Sequence, residues 1–326
     1  MSALKFIDQP APCSRQLYED TCAGIVQRNK SIAGLRSIYR FGNITAPGIS
    51  DLDLLFVFEP GTICERNGLE DLPEAHRRLF THGIMAISAD HLEDNTRFTL
   101  WSDMHLLWGE ECYSEPAQTP ENLEHIRIQT AIEFLAANFI DLHVQRSYGI
   151  IKLRSFLQHM KGLIYDLEYL NNPEGAVHDL LAEIRNLIAN WFTRANAEQE
   201  IREWLNRFMP EFISFFQTSV EKHPLFLPLS DSKNYVIARN MRLTPAMHVA
   251  AHSRGIVLPS FLLPQGREAF KILHRLNRFT FQMPIRHDGP VVLQERFRFL
   301  QRMKSYNREH LPNFMTITTS ITSKII

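Results

Sequence analysis

The stretch that most constrains this chain runs from Phe41 to Gly61, FGNITAPGISDLDLLFVFEPG. Its centre sets Asp51 and Asp53 one residue apart at the mouth of an apolar run, Leu54 to Phe58. Strand side chains alternate between faces, so Asp51 and Asp53 share one face while Leu52 and Leu54 take the other. Two ionised carboxylates side by side repel, and one is driven to bind a proton unless a cation settles between them. A divalent metal meets that need. The plainer explanation is a pair of aspartates capping a turn where a loop enters a strand. An upstream glycine, Ser-Asp-x-Asp and a long apolar strand, in that order, favour the metal.

Around this stretch the pattern alternates helix and strand. Residues 14–30 suit an amphipathic helix and Ser37 to Phe41 a short strand ending at Gly42. The strand Asp51 to Phe58 follows, closed by Glu59-Pro60-Gly61, then a helix around Leu72 to Thr81 and strands at Ile84 to Ser88 and Phe98 to Trp108. The polar, proline-punctuated segment 114–120 marks a boundary, beyond which helices are expected at about 121–141, 144–170, 174–195 and 197–220. Prolines recur from Lys222 to Pro264, two more helices are expected near 266–280 and 290–309, and the ending TITTSITSKII alternates like a strand or is a frayed tail. The expected class is α+β: a small mixed-sheet domain over residues 1–115, then a mainly helical domain over 116–326.

The residues Gly42-Asn43, Pro47-Gly48-Ile49-Ser50-Asp51-Leu52-Asp53 and Leu54 to Phe58 resemble the active-site motif of DNA polymerase β-like nucleotidyltransferases. The resemblance implies a nucleotidyltransferase domain in which the turn cradles a nucleoside triphosphate and Asp51 and Asp53 hold Mg2+ or Mn2+. It also implies a third carboxylate on a neighbouring strand. Asp103, just before the apolar run Leu106 to Trp108, is the best candidate, and Asp90 is its rival. Gly42, Asn43 and Ser50 would contact the nucleotide, with Asn43 standing where the family usually has serine. Tyr148 to Phe156 resembles a helix of poly(A)-polymerase and oligoadenylate-synthetase relatives in which a lysine, here Lys152, touches the triphosphate. The implied reaction is transfer of a nucleoside monophosphate to an acceptor hydroxyl with release of pyrophosphate. The alternative is a catalytically inactive nucleotide-binding module of the same fold. Phosphoryl transfer requires neutralised phosphates and an aligned attacking oxygen, and carboxylate-held metals supply both.

Composition excludes several other classes. With 44% hydrophobic and 22% charged residues and a formal charge of -1, nothing advertises a nucleic-acid or membrane partner overall. Cys13, Cys22, Cys64 and Cys112 are too far apart for a C-x-x-C pair. No secretion signal or membrane-length apolar run is evident, so a cytoplasmic location is expected. His248 and His252 have the spacing of a helical zinc pair but lack a third ligand. Locally, Arg267, Lys271, Arg275 and Arg278 recur at helical spacing, as do Arg298 and Arg302, which fits a solvated face or an anionic acceptor such as RNA.

Overall fold

The computed structural model describes residues 4–101, 103–114, 118–172, 174–229, 234–256, 267–316 and 320–326. The fold is α+β, in two compact units. One comprises Ala11–Leu123 with Glu295–Thr319 and Ile326; the other comprises Met1–Pro10, Glu124–Gln294 and Ser320–Ile325. The division therefore differs from a single cut at residue 115. Strand pairing reassigns the chain ends, because Lys5–Ile7 pairs in parallel with Ile150–Lys152, while Met315 bridges Met85.

In chain order the elements begin with β1 (Lys5–Ile7), α1 (Arg15–Asn29), β2 (Leu35–Phe41), β3 (Asp53–Phe58), α2 (Glu74–Arg77), β4 (Met85–Ser88), α3 (Leu92–Thr99) and β5 (His105–Gly109). Next come α4 (Pro120–Ser147), β6 (Ile150–Lys152), α5 (Leu153–Tyr169), α6 (Ala176–Ala189), α7 (Ala197–Lys222) and β7 (Leu225–Phe226). The last third holds β8 (Tyr235–Ala238), β9 (Met241–Pro245), β10 (Ala250–Arg254), α8 (Arg267–Leu276), β11 (Arg278–Met283), β12 (Ile285–Arg286), α9 (Val291–His310) and α10 (Ile321–Ile325).

The first unit is built on a mixed sheet of order β4-β3-β2-β5. β3 runs parallel to β4 and antiparallel to β2, and β2 is antiparallel to β5. Consequently the starts of β3, β4 and β5 and the end of β2 meet at one edge of the sheet. After Asp53 every residue of β3 is buried, as expected of a strand covered on both faces. Leu54, Phe56 and Phe58 pack with Tyr18, Cys22 and Ile25 of α1 and with Leu311 and Phe314 after α9. β5 ends at Gly109, whose φ of +94° is left-handed and whose missing Cβ would lie 2.9 Å from Ser37 Cα. Gly109→Ala is expected to cost roughly 2 kcal/mol, through left-handed strain and the forced parting of β5 from β2. A urea titration would measure it, and an unchanged midpoint would refute the packing.

The second unit is helical around a smaller sheet. Trp204, Phe208, Phe212 and Phe216 recur every fourth residue of α7 and stack along it. The sheet of order β10-β11-β9-β8 turns Phe281 toward Phe139 and His143 of α4. Buried Gln129 exchanges two hydrogen bonds with the Phe226 backbone. Thr322 of α10 donates to buried Glu133 at 2.6 Å, so the described part of the chain's end is a helix rather than a strand.

Other expectations shift for local reasons. The strand expected over Phe98 to Trp108 is instead the end of α3, a turn at left-handed Leu100, and β5 from His105. The helix around 72–81 shrinks to α2. Gly149, at φ +66°, breaks the helix expected over 144–170, and β6 follows it. The helix expected to reach 280 stops at Leu276, and the poorly patterned 222–264 region contributes β7 to β10. Among the described residues no helix is long and apolar enough to cross a membrane.

Candidate metal centre

The edge where three strands start and β2 ends gathers Asp51, Asp53, Gly42, Asn43, Asp103 and the segment before β4. Helix α1 fixes the loop that delivers the aspartates. Its Tyr18 hydroxyl donates to Ser50 O at 2.6 Å and accepts from Gly48 N, and Arg15 donates to Ile44 O. Leu52 N–H donates to Leu79 O at 3.0 Å, which draws the segment carrying Thr81 and His82 alongside the Asp51–Asp53 pair.

Among the described residues, one group of His, Cys, Asp or Glu ligand atoms converges within 4.8 Å: Asp51, Asp53 and His82. This group can hold a metal ion. His82 Nε2 lies 2.8 Å from Asp53 Oδ1 and 3.8 Å from Asp51 Oδ2. Thr81 Oγ1 donates to Asp51 Oδ2 at 2.6 Å, and the His82 ring Nδ1 lies 2.8 Å from Gly83 O. The three side chains are half-buried, 23–24% exposed.

The electrostatics are those of a cation site. Burial raises the Asp53 carboxyl above its ordinary range, opposed by the His82 hydrogen bond and reinforced by Asp51. Burial lowers His82, but the hydrogen bond to Asp53 and the charges of both aspartates outweigh it and carry the imidazole up to about 9. Near neutral pH His82 is therefore an imidazolium between two carboxylates, occupying the position a cation is needed to fill.

The remaining expected residues are placed differently. Asp103 lies at the same edge, because β5 starts there, but the converging group is completed by His82, not Asp103. The Asp103 carboxylate instead accepts from Asn43 Nδ2 at 2.6 Å. Its rival Asp90 follows β4, parallel to β3, and so belongs to the opposite end of the sheet. Gly42 has φ +71°, and a Cβ there would lie 3.8 Å from Asp53 Oδ2, so its backbone passes beside the carboxylate. Buried Ser50 accepts from Ala46 N–H, a bond within its own loop. Lys152 belongs to the second unit, where its ammonium sits 4.4 Å over the Phe270 ring. His252 lies on β10 and His248 precedes it, so their four-residue spacing is not that of a helix face.

His82 is not among the residues expected from the sequence, because it is not a carboxylate. Its signal is positional: Thr81-His82-Gly83 precedes the run Ile84 to Ser88 just as Asp51-Leu52-Asp53 precedes Leu54 to Phe58.

Asn43→Ala is expected to release Asp103 and the turn it holds. The cost to stability should be about 1 kcal/mol, since the bond is charge-assisted but exposed. Thermal unfolding would measure it, and a destabilisation as large as that of a core truncation would contradict the assignment. No protein-family model matches the chain, and no curated protein matches it.

Proposed function

We propose that the chain is a metal-dependent nucleotidyltransferase of the DNA polymerase β-like superfamily, which moves a nucleoside monophosphate from a nucleoside triphosphate to an acceptor hydroxyl. The carrying observation is the convergence of Asp51 and Asp53 with His82 at a sheet edge, beside the left-handed Gly42 turn. Two carboxylates and an imidazole suit a divalent ion, and the nitrogen donor moves the preference from Mg2+ toward Mn2+. Bound there, such an ion would supply positive charge to phosphate oxygens and to the attacking oxygen. Gly42 leaves room for a phosphate against the backbone, and its neighbouring N–H groups are anion donors. Asn43 keeps Asp103 oriented at the rim, available to the acceptor end of the site. The acceptor is a hydroxyl of RNA or of another anionic molecule.

One observation favours a second reading, a nucleotide-binding module without catalysis. The His82 imidazolium already neutralises Asp53, and the Asn43 amide and Ser50 hydroxyl are engaged within the protein. Incubation with each of the four nucleoside triphosphates and Mg2+ or Mn2+, followed by mass spectrometry and pyrophosphate assay, separates the two. Metal-dependent pyrophosphate release with a nucleotidylated product is the expected result. Triphosphate binding without pyrophosphate would favour the module.

A further inference from the structure

The outward face of the second unit's sheet carries charges that the metal centre does not use. Along β11, Phe279, Phe281 and Met283 are buried, while Arg278, Thr280 and Gln282 alternate onto the other face. In register, Arg242 of β9 lies opposite Thr280, and Arg278 lies directly opposite Arg254 of β10. Arg242, Arg254 and Arg278 are exposed, and among the described residues none of them makes an ion pair. No Asp or Glu occurs at positions 235–256 or 277–287, while Arg239, Arg242, Arg254, Arg278 and Arg286 do.

Two details point to an anionic occupant. Like charges facing each other across an antiparallel pair destabilise a sheet, and Arg254 and Arg278 are such a pair. The Arg278 guanidinium is also held in place, donating to Arg275 O at 3.0 Å and Asn277 O at 2.9 Å. Gly255 follows at φ +148°, where a Cβ would stand 2.7 Å from Leu276 O, so the chain turns tightly against the α8–β11 corner that carries exposed Arg275.

We propose that this sheet face binds the phosphodiester backbone of a single-stranded nucleic acid. Guanidinium groups pair with phosphate oxygens through two parallel hydrogen bonds. With strands about 4.8 Å apart and a rise of about 3.3 Å per residue, the backbone positions of Arg242, Arg278 and Arg254 fall within about 12 Å, a span of a few phosphates. The outward positions of β8 to β11 hold no Phe, Tyr or Trp, and His252 of β10 is the one ring among them, so contact runs mainly through the backbone rather than by base stacking, and recognition is largely insensitive to sequence. The basic surface thus differs from the helical stripe that the arginine spacing suggests. Arg278 lies on β11, the Arg267 side chain lies outside the described residues, and Arg302 pairs with Asp94 at 2.8 Å.

The proposal does not depend on the metal centre being catalytic, and its test is run without metal. A fluorescein-labelled oligouridylate is titrated with the full chain in EDTA across a potassium chloride series and read by anisotropy. The expected logarithmic salt slope is about −2, three phosphates at about 0.7 each. Arg254→Gln with Arg278→Gln should weaken low-salt binding about tenfold and shallow the slope by roughly 1 to 1.5. The fold should be retained by thermal unfolding, because the like-charge pair is relieved. Arg185→Gln, an exposed arginine on α6, should change neither quantity. Asp53→Asn should bind the oligonucleotide as the parent does, so loss of transfer activity and loss of this surface are read separately. Absence of binding at low salt, a slope indifferent to the double substitution, or tighter binding to phosphatidylserine vesicles or polyglutamate would overturn the proposal.

Discussion

Asp51→Asn is expected to weaken Mn2+ binding at least a hundred-fold, because the amide removes one of two charged oxygen donors and cannot replace its charge. Any metal-dependent pyrophosphate release should disappear with it. The fold should survive at equal or greater stability, since Thr81 can still donate to the asparagine oxygen and the repulsion with Asp53 is gone. Asp53→Asn should lose metal binding equally but behave differently without metal. Its carboxylate is the 2.8 Å partner of His82, so the substitution strands a half-buried imidazolium and returns His82 toward its ordinary range. Titration calorimetry with Mn2+ and urea denaturation, run on both variants, check the pair of outcomes. Parent-like Mn2+ affinity in either variant would remove the metal assignment.

The contrast between the two substitutions comes from His82, and so does most of what was hard to see in the residues alone. The strand Leu54 to Phe58 is legible because an unbroken apolar run closed by Glu-Pro-Gly has few other uses. The two aspartates are legible because period-two alternation puts them on one face whatever lies around them. His82 and Asp103 are a different matter. Their partners are decided by which strands neighbour which, and local pattern carries no record of a parallel β3–β4 pairing. The last third fails for a related reason. Arg267 to Arg278 keeps helical spacing until Asn277 ends α8, and Arg278 then opens the alternating run RFTFQM. One residue belongs to both periods, and only pairing with β9 and β10 decides in favour of the strand.

His82 also gives the metal-free protein a characteristic pH dependence. Its folded value, about 9, lies above the ordinary 6.5, so the folded state holds the proton more tightly than the unfolded chain. The stability this supplies is fully present below about pH 6.5 and is lost as pH rises through about 9. At 1.36 kcal/mol for each unit, the loss approaches about 3 kcal/mol. Burial raises Asp53 as well, and a raised carboxyl likewise favours the fold on the acid side, so the two groups act with one sign. His82→Gln should flatten the profile between pH 6.5 and 9 in urea titrations with EDTA present, because glutamine keeps a donor for Asp53 but has no proton to lose. Metal binding should mirror the effect. An ion ligated by the His82 nitrogen displaces its proton, so Mn2+ affinity should rise up to about tenfold per pH unit until His82 is neutral. An affinity that stays level from pH 7 to 9 in the parent, with an unchanged profile in His82→Gln, would mean that His82 neither pairs with Asp53 nor faces the ion.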